Sequence, residues 1–196
     1  SISNVQLFGF DIQLRQATPQ ATPNFRFVID AFARRDSLRR DLRLDLRINS
    51  LLIRRGRVSY DVLSEAPTPG RFNPRHICLK DIIATISLKA LRTDSLNAAV
   101  KRMSITEENS GFSLKKLSLK MVGNEEGMEI TNFAIDLPHT SLQADTMRVA
   151  YDSLGSFRNF AREVSFSFHL KPSPLALSDL SAFLPAFKTF NDPLWV

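Results

Sequence analysis

Residues 112–151 read FSLKKLSLKMVGNEEGMEITNFAIDLPHTSLQADTMRVAY. Apolar and polar residues alternate through three successive runs, 112–122, 128–137 and 142–151. Alternation is strand spacing, because successive side chains of a strand point to opposite faces. The runs are separated by Gly123-Asn-Glu-Glu-Gly127, a loop bounded by two glycines, and by the turn Pro138-His139-Thr140. Short connections between consecutive strands predict antiparallel pairing and therefore a meander.

In each run the apolar phase slips by one residue midway. Phe112 and Leu114 give way to Leu117, Leu119 and Met121 after Lys115-Lys116; Met128 and Ile130 give way to Phe133, Ile135 and Leu137; Leu142 and Ala144 give way to Met147, Val149 and Tyr151. No Gly or Pro sits at a slip, so these are not turns. A β-bulge inserts one residue, bends the strand and returns later side chains to the original face. Bulges at similar depth in neighbouring strands would bend the whole sheet about one line. The expected fold is mostly β, a long antiparallel meander curled into an open, taco-like trough with an apolar inside and one short C-terminal helix. The alternative is a β-sandwich whose strands cross between sheets at the bends.

Outward from this stretch the same alternation recurs. It predicts strands at 25–30, from Leu42 to Ile48, from a short connection at Asn49-Ser50 to Tyr60, at 82–89 and at 164–170. Residues 96–105 fit both strand and helix spacing, and their neighbours favour strand. Three prolines and a glycine make 64–74 a loop. Ser178 reads as a helix N-cap with Asp179 in the first turn, and Leu180, Phe183, Leu184 and Phe187 form an apolar face at helical spacing; Pro185 would kink or break it. The whole chain, 1–196, thus reads as one β-rich segment with a short helical element at 175–190. Text also repeats between 40–61 and 131–152. Asp45/Asp136, Leu46/Leu137, Ser50/Ser141, Leu51/Leu142, Arg57/Arg148, Val58/Val149, Tyr60/Tyr151 and Asp61/Asp152 are identical. Repetition of this kind usually builds extended surfaces rather than single catalytic pockets.

With 43% hydrophobic and 23% charged residues, 196 residues suffice for a folded, soluble unit. No apolar run approaches the roughly 20 residues that cross a bilayer as a helix. The first residues lack the pattern of a signal peptide and an initiator Met, which suggests a piece of a larger protein. One cysteine, Cys78, cannot form an internal disulfide. Residues 26–75 hold twelve Arg and six acids, which matches the full net charge of +6. This stripe reads first as the solvated face of amphipathic strands. Arg43, Arg47, Arg54, Arg55 and Arg57 are candidates for contact with an anionic surface, and basic residues without interleaved aromatics argue against nucleic acid.

Little else carries chemistry. His76, His139 and His169 share no ligand spacing, so no metal site is expected. Glu107-Glu108 and Glu125-Glu126 lie in predicted turns, where paired carboxylates are ordinarily solvated rather than poised for acid–base work. There is no nucleophile elbow and no phosphate-binding loop. The reading is non-enzymatic, with no cofactor. A deep polar pocket joining two of His76, His139, Glu107 and Asp152 would reverse it. In a sandwich, loops 64–74 and 153–159 would be the contact surface of a binding module.

The strand endings Val-Ser-Tyr-Asp (58–61) and Val-Ala-Tyr-Asp (149–152), the stretch ITEENSGFSLKKL (105–117) and the segment LSDLSAFLPAF (177–187) resemble the AsmA/TamB group of bacterial envelope proteins. The likeness covers most of 40–190. Residues 1–39 match nothing specific, and the Arg-rich stretch 34–57 departs from the pattern. The resemblance implies a periplasmic protein whose parent is anchored in the inner membrane by parts outside this chain. It further implies an apolar groove that conducts phospholipid between membranes or assists the outer-membrane protein assembly machinery, and no catalytic residues. The partners implied are phospholipid acyl chains, not nucleic acid. Candidate groove-lining residues are Leu44, Leu46, Ile86, Leu88, Leu117, Leu119, Phe133, Ile135, Val149, Phe166 and Phe168.

Overall fold

A computed structural model describes residues 2–26, 46–91, 95–124, 126–151, 164–190 and 192–196. The strands are β1 (Ile2–Phe8), β2 (Asp11–Gln16), β3 (Leu46–Val62), β4 (His76–Leu91), β5 (Leu96–Glu107), β6 (Ser113–Gly123), β7 (Gly127–Asp136), β8 (Ser141–Tyr151) and β9 (Val164–Leu170). They form one nine-stranded sheet. From β3 to β9 it is an antiparallel meander in sequence order, each strand paired with the next. β1 and β2 lie end to end along the outer edge of β3 and pair with it in parallel, so the sheet is mixed. It does not close: β9 ends it on one side and β1 and β2 on the other.

Several sequence expectations need correction. Asn49-Ser50 is not a connection but an irregularity inside the single long strand β3, where three residues (Ile48 to Leu51) face two (Leu88 to Ile86). The parallel strands β1 and β2 carried no recognised signal. Most of the strand expected at 25–30 lies outside the described residues; Phe25 itself sits in a turn, edge-on to Tyr60. The expected C-terminal helix is two 3-10 turns, Leu177–Leu180 and Pro185–Thr189, with Ala176 rather than Ser178 at the first N-cap. Pro185 has no N–H to give and its ring opposes the carbonyl of Ser181, so an α-helix cannot run through it. No second sheet large enough for a sandwich is present among the described residues; β10 (Pro174–Leu175) and β11 (Leu194–Trp195) form only a small antiparallel pair.

The phase slips coincide with shifts of register. Leu114 to Leu117 of β6 spans three residues against two of β5, and Ala144 to Met147 of β8 three against two of β9. In β7, Ile130 to Phe133 spans three against the three of β8, and Asn132 there takes a left-handed φ of 53°. Further shifts fall at Arg54-Arg55 of β3, Asp81 of β4 and Lys101-Arg102 of β5; Arg55 and Asp81 are also left-handed, at 55° and 52°. The edge strand matches the β3 bulge. Gly9 and Phe10 break β1 from β2 opposite it, Gly9 donates to the Arg54 carbonyl, and Phe10 accepts from the Arg57 N–H. Phe10 lies over Gly56, where a Cβ would come within 2.4 Å of its ring. Glycine is favoured at 56 by this approach, since any larger residue must push the ring aside, rather than by its backbone angles.

One end of the sheet is capped. The turns after β3, β5, β7 and β9 lie there, and residues 176–183 contact them at Phe72, Phe112, His139 and Thr140. Phe183 lies between Phe72 and Phe112, with ring centroids 5.0 and 5.1 Å away. Phe72 N–H donates to the Ala182 carbonyl. The Thr140 hydroxyl accepts from the Ala176 N–H at 2.9 Å and donates to its carbonyl. Asp179, its carboxylate buried, accepts from the His139 N–H at 2.8 Å and pairs with that imidazole at 3.0 Å. Val62, Leu114, Leu137 and Ala182 are buried at this end.

The two halves of the sequence repeat are not equivalent in space. β3 runs toward the capped end and β8 away from it, so Tyr60 lies near the cap and Tyr151 at the opposite end. The turn at 138–140 corresponds to the irregularity at Asn49-Ser50.

Candidate functional site

Residues paired across neighbouring strands share a face. Followed strand by strand, the register builds one row Ile48–Leu88–Ala98–Met121–Ile130–Met147–Phe168, from β3 to β9. Two rows nearer the cap lies Ile53–Ala84–Met103–Leu117–Ile135–Leu142. Every member of both rows is apolar. Between them sit Leu51, Ile86, Val100 and Leu119 on one side and Phe133, Ala144 and Leu170 on the other. The bulges produce this continuity: without the extra residue in β5, β7 and β8, the face would turn polar halfway along each strand.

The opposite face is polar. Its rows include Ser87–Ala99–Lys120–Thr131–Thr146 and Asn97–Val122–Glu129–Arg148–Ser167. The sheet is therefore two-sided in the manner of an antiparallel layer with one face meant for a core. No covering layer lies over the apolar side among the described residues. Ile86, Leu88, Leu117, Leu119, Phe133 and Ile135 are all partly exposed, and Phe168 on β9 is 50% exposed. Val149 is buried. These eight candidate lining residues lie on the one face. Leu46 and Phe166 hold register positions in the adjoining row with Leu91, Leu96, Gly123, Met128 and Val149; Leu44 is outside the described residues. Ile48, Ile53, Ala84, Ala98, Met103, Met121, Ile130, Leu142 and Met147, which complete the rows, were not among the candidates. The signal that finds them is the phase slip itself, carried across from strand to strand.

Of the candidate arginines, Arg47, Arg54, Arg55 and Arg57 are exposed on β3, and Arg43 is outside the described residues. Arg57 is paired with Glu108 at 3.0 Å, which Lys80 also reaches at 3.3 Å. The Cys78 thiol donates to the same carboxylate at 3.2 Å; burial, then this bond, raises its pKa above the ordinary thiol value. A thiol so held is protonated and unreactive at neutral pH.

The remaining polar groups near the cap are tied into the fold. His76 has both ring nitrogens engaged, Nδ1 with Asp61 at 3.0 Å and Nε2 with the Glu65 carbonyl at 2.9 Å. Glu107 is buried, and its carboxylate accepts from the N–H groups of Cys78, Asn109 and Ser110 and from the Ser110 hydroxyl. Burial acts to raise its pKa, but these hydrogen bonds outweigh it and hold the carboxyl below its usual value. Glu107 thus organises the turn 107–112. Asp152 is outside the described residues. Among the described residues no group of three or more His, Cys, Asp or Glu is placed to hold a metal ion.

No family model matches the chain, and no curated protein or solved structure matches it.

Proposed function

We propose that this chain is a non-enzymatic segment of a cell-envelope protein whose apolar sheet face holds phospholipid acyl chains while the headgroups stay in water. The observation that carries this reading is the unbroken apolar row from Ile48 to Phe168, on a face left part-exposed and uncovered. A monomer rarely leaves so large an apolar area open without a ligand or partner for it. Bulges in β3, β5, β6, β7 and β8 each bend their strand, and this supports a curled form that would shelter such chains. The resemblance of 40–190 to the AsmA/TamB group supplies the setting: the periplasm, with phospholipid conducted between membranes or outer-membrane protein assembly assisted.

The energetics suit holding and sliding. Burying a methylene contributes roughly 0.8 kcal/mol, so a chain of about 16 carbons gains on the order of 10 kcal/mol in gross terms. The rows are uniformly apolar, and a chain moving along them exchanges no hydrogen bond. The open end of the sheet, opposite the C-terminal segment, gives such a chain its way in. Mass spectrometry of the purified protein is expected to find co-purified phospholipid, and the delipidated protein to take up a fluorescent phospholipid. A protein that does neither overturns the reading.

A further inference from the structure

The bulges have a second effect, on the opposite face. Each leaves two consecutive residues between neighbours that both belong to the apolar side, so both point away from it. In β3 the two are Arg54-Arg55, between Ile53 and Gly56; in β5 they are Lys101-Arg102, between Val100 and Met103; in β6 they are Lys115-Lys116, between Leu114 and Leu117. All six are exposed. Three strands thus raise pairs of cations on the same face.

The register brings the pairs together. Arg54 and Arg55 flank Ile83 of β4, which pairs with Ser104 of β5, and Ser104 in turn faces Lys115-Lys116; Lys101-Arg102 sits immediately along β5 from Ser104. Phe8 extends the row beside Arg54. Four strand spacings of about 4.8 Å make the patch roughly 19 Å across. Among the described residues, Arg54, Arg55, Lys101, Arg102 and Lys116 make no ion pair, while Lys115 donates to the Pro138 carbonyl. Toward the cap the situation changes, since Glu108 pairs with Arg57 and Lys80. Two carboxylates border the patch, Asp81 and Asp136, so six cations stand against two anions. Phe8 and Ile83 are 56% and 39% exposed amid these cations.

We propose that this polar face docks on the surface of an anionic phospholipid bilayer. Cations attract the anionic headgroups, and the exposed Phe8 and Ile83 enter the interfacial region between them. A nucleic acid would instead call for several stacking aromatics among the cations, and Phe8 is the one aromatic in the row. The inference concerns the face opposite the one that would hold acyl chains and does not depend on that reading.

The test is co-sedimentation of the whole chain with two kinds of vesicle, one of phosphatidylcholine alone and one with a third of that lipid replaced by phosphatidylglycerol. Each cation near an anionic surface contributes about fivefold to partitioning. The variant K101Q/R102Q/K115Q/K116Q is expected to bind the anionic vesicles at least 30-fold more weakly. The charge-matched variant R15Q/R71Q/K171Q/K188Q is expected to bind within about threefold of the unaltered protein. All eight positions are exposed, and circular dichroism checks folding. Binding of the unaltered protein is also expected to fall steeply between about 50 and about 300 mM salt, a readout that needs no variant. Equal binding to both vesicle types, equal loss in the two variants, or preference for duplex DNA over anionic vesicles each overturns the proposal. Uptake of single phospholipid molecules by the apolar face is expected to survive in K101Q/R102Q/K115Q/K116Q, which separates the two activities.

Discussion

Leu114 and Leu119 lie on the same face of the same strand, five residues apart, yet truncation is expected to cost very different amounts. Leu114 is 8% exposed, close to the cap, and pairs with Ile105. Leu114→Ala removes about three buried carbons, roughly 2.4 kcal/mol by transfer, and leaves a cavity that the surroundings only partly fill. The total expected is about 3–4 kcal/mol. Leu119 sits in the middle of β6 between Val100 and the β7 bulge, with one side open to solvent. Leu119→Ala forfeits only part of the transfer gain and seals no cavity, so about 1–1.5 kcal/mol is expected. Urea unfolding followed by circular dichroism measures both, and comparable m-values are needed for the comparison. A difference of about 2 kcal/mol between the two variants agrees with an uncovered face. Equal losses, both at the full cost of truncating a buried leucine, would mean that Leu119 is sealed in a closed core, and the account of an open apolar face would be wrong.

Three further outcomes follow from the geometry. Glu107→Gln keeps the shape of the side chain but loses the charge that three N–H groups and a hydroxyl address, and is expected to cost about 2 kcal/mol at pH 7. Because the folded-state pKa of Glu107 is depressed, its contribution is present above the unfolded value of about 4.3 and disappears as pH falls through the folded value, so acid titration below pH 4.5 should destabilise the unaltered protein more steeply than Glu107→Gln; parallel slopes would refute this role. Gly56→Ala drives a methyl into the Phe10 ring and is expected to cost about 1–3 kcal/mol, recovered in part by Phe10→Ala in the double variant; purely additive losses would refute the contact. Asp179→Ala removes the acceptor of His139 and is expected to speed hydrogen exchange across 174–187 by at least tenfold while β5–β7 stay protected; unchanged exchange would show that the aromatic contacts of Phe183 alone hold the segment.

The meander from β5 to β9 was legible in the sequence because antiparallel strands with one apolar and one polar face write their alternation directly, and because Gly123, Gly127 and Pro138 punctuate it. The bulges of β6, β7 and β8 were legible as phase slips for the same reason. Asn49-Ser50 misled, since the same polar dipeptide serves as a turn or as a bulge, and only the pairing of Leu51 with Ile86 decides between them. β1 and β2 were missed because a parallel edge strand depends on a partner far along the chain and needs no strict alternation of its own. The C-terminal segment shows the limit of helical periodicity: Leu180, Phe183 and Phe187 have the spacing, but Pro185 denies the backbone, and Phe183 packs from the turn between two 3-10 segments instead. The lining of the apolar face was recovered only in part, since Met103 joins it only across the β5 bulge and Ala98 lies in a run that fits helix spacing as well as strand spacing.

The central claim is that one face of this sheet is an open apolar surface that takes acyl chains. Photo-cross-linking with a phospholipid that carries a diazirine in its acyl chain, followed by peptide mass spectrometry, tests it residue by residue. Adducts are predicted along Met121, Ile130, Met147 and Phe168, and not on Lys120, Thr131 or Thr146 one step away on the other face. Adducts spread evenly over both faces, or absent from that row, would contradict it.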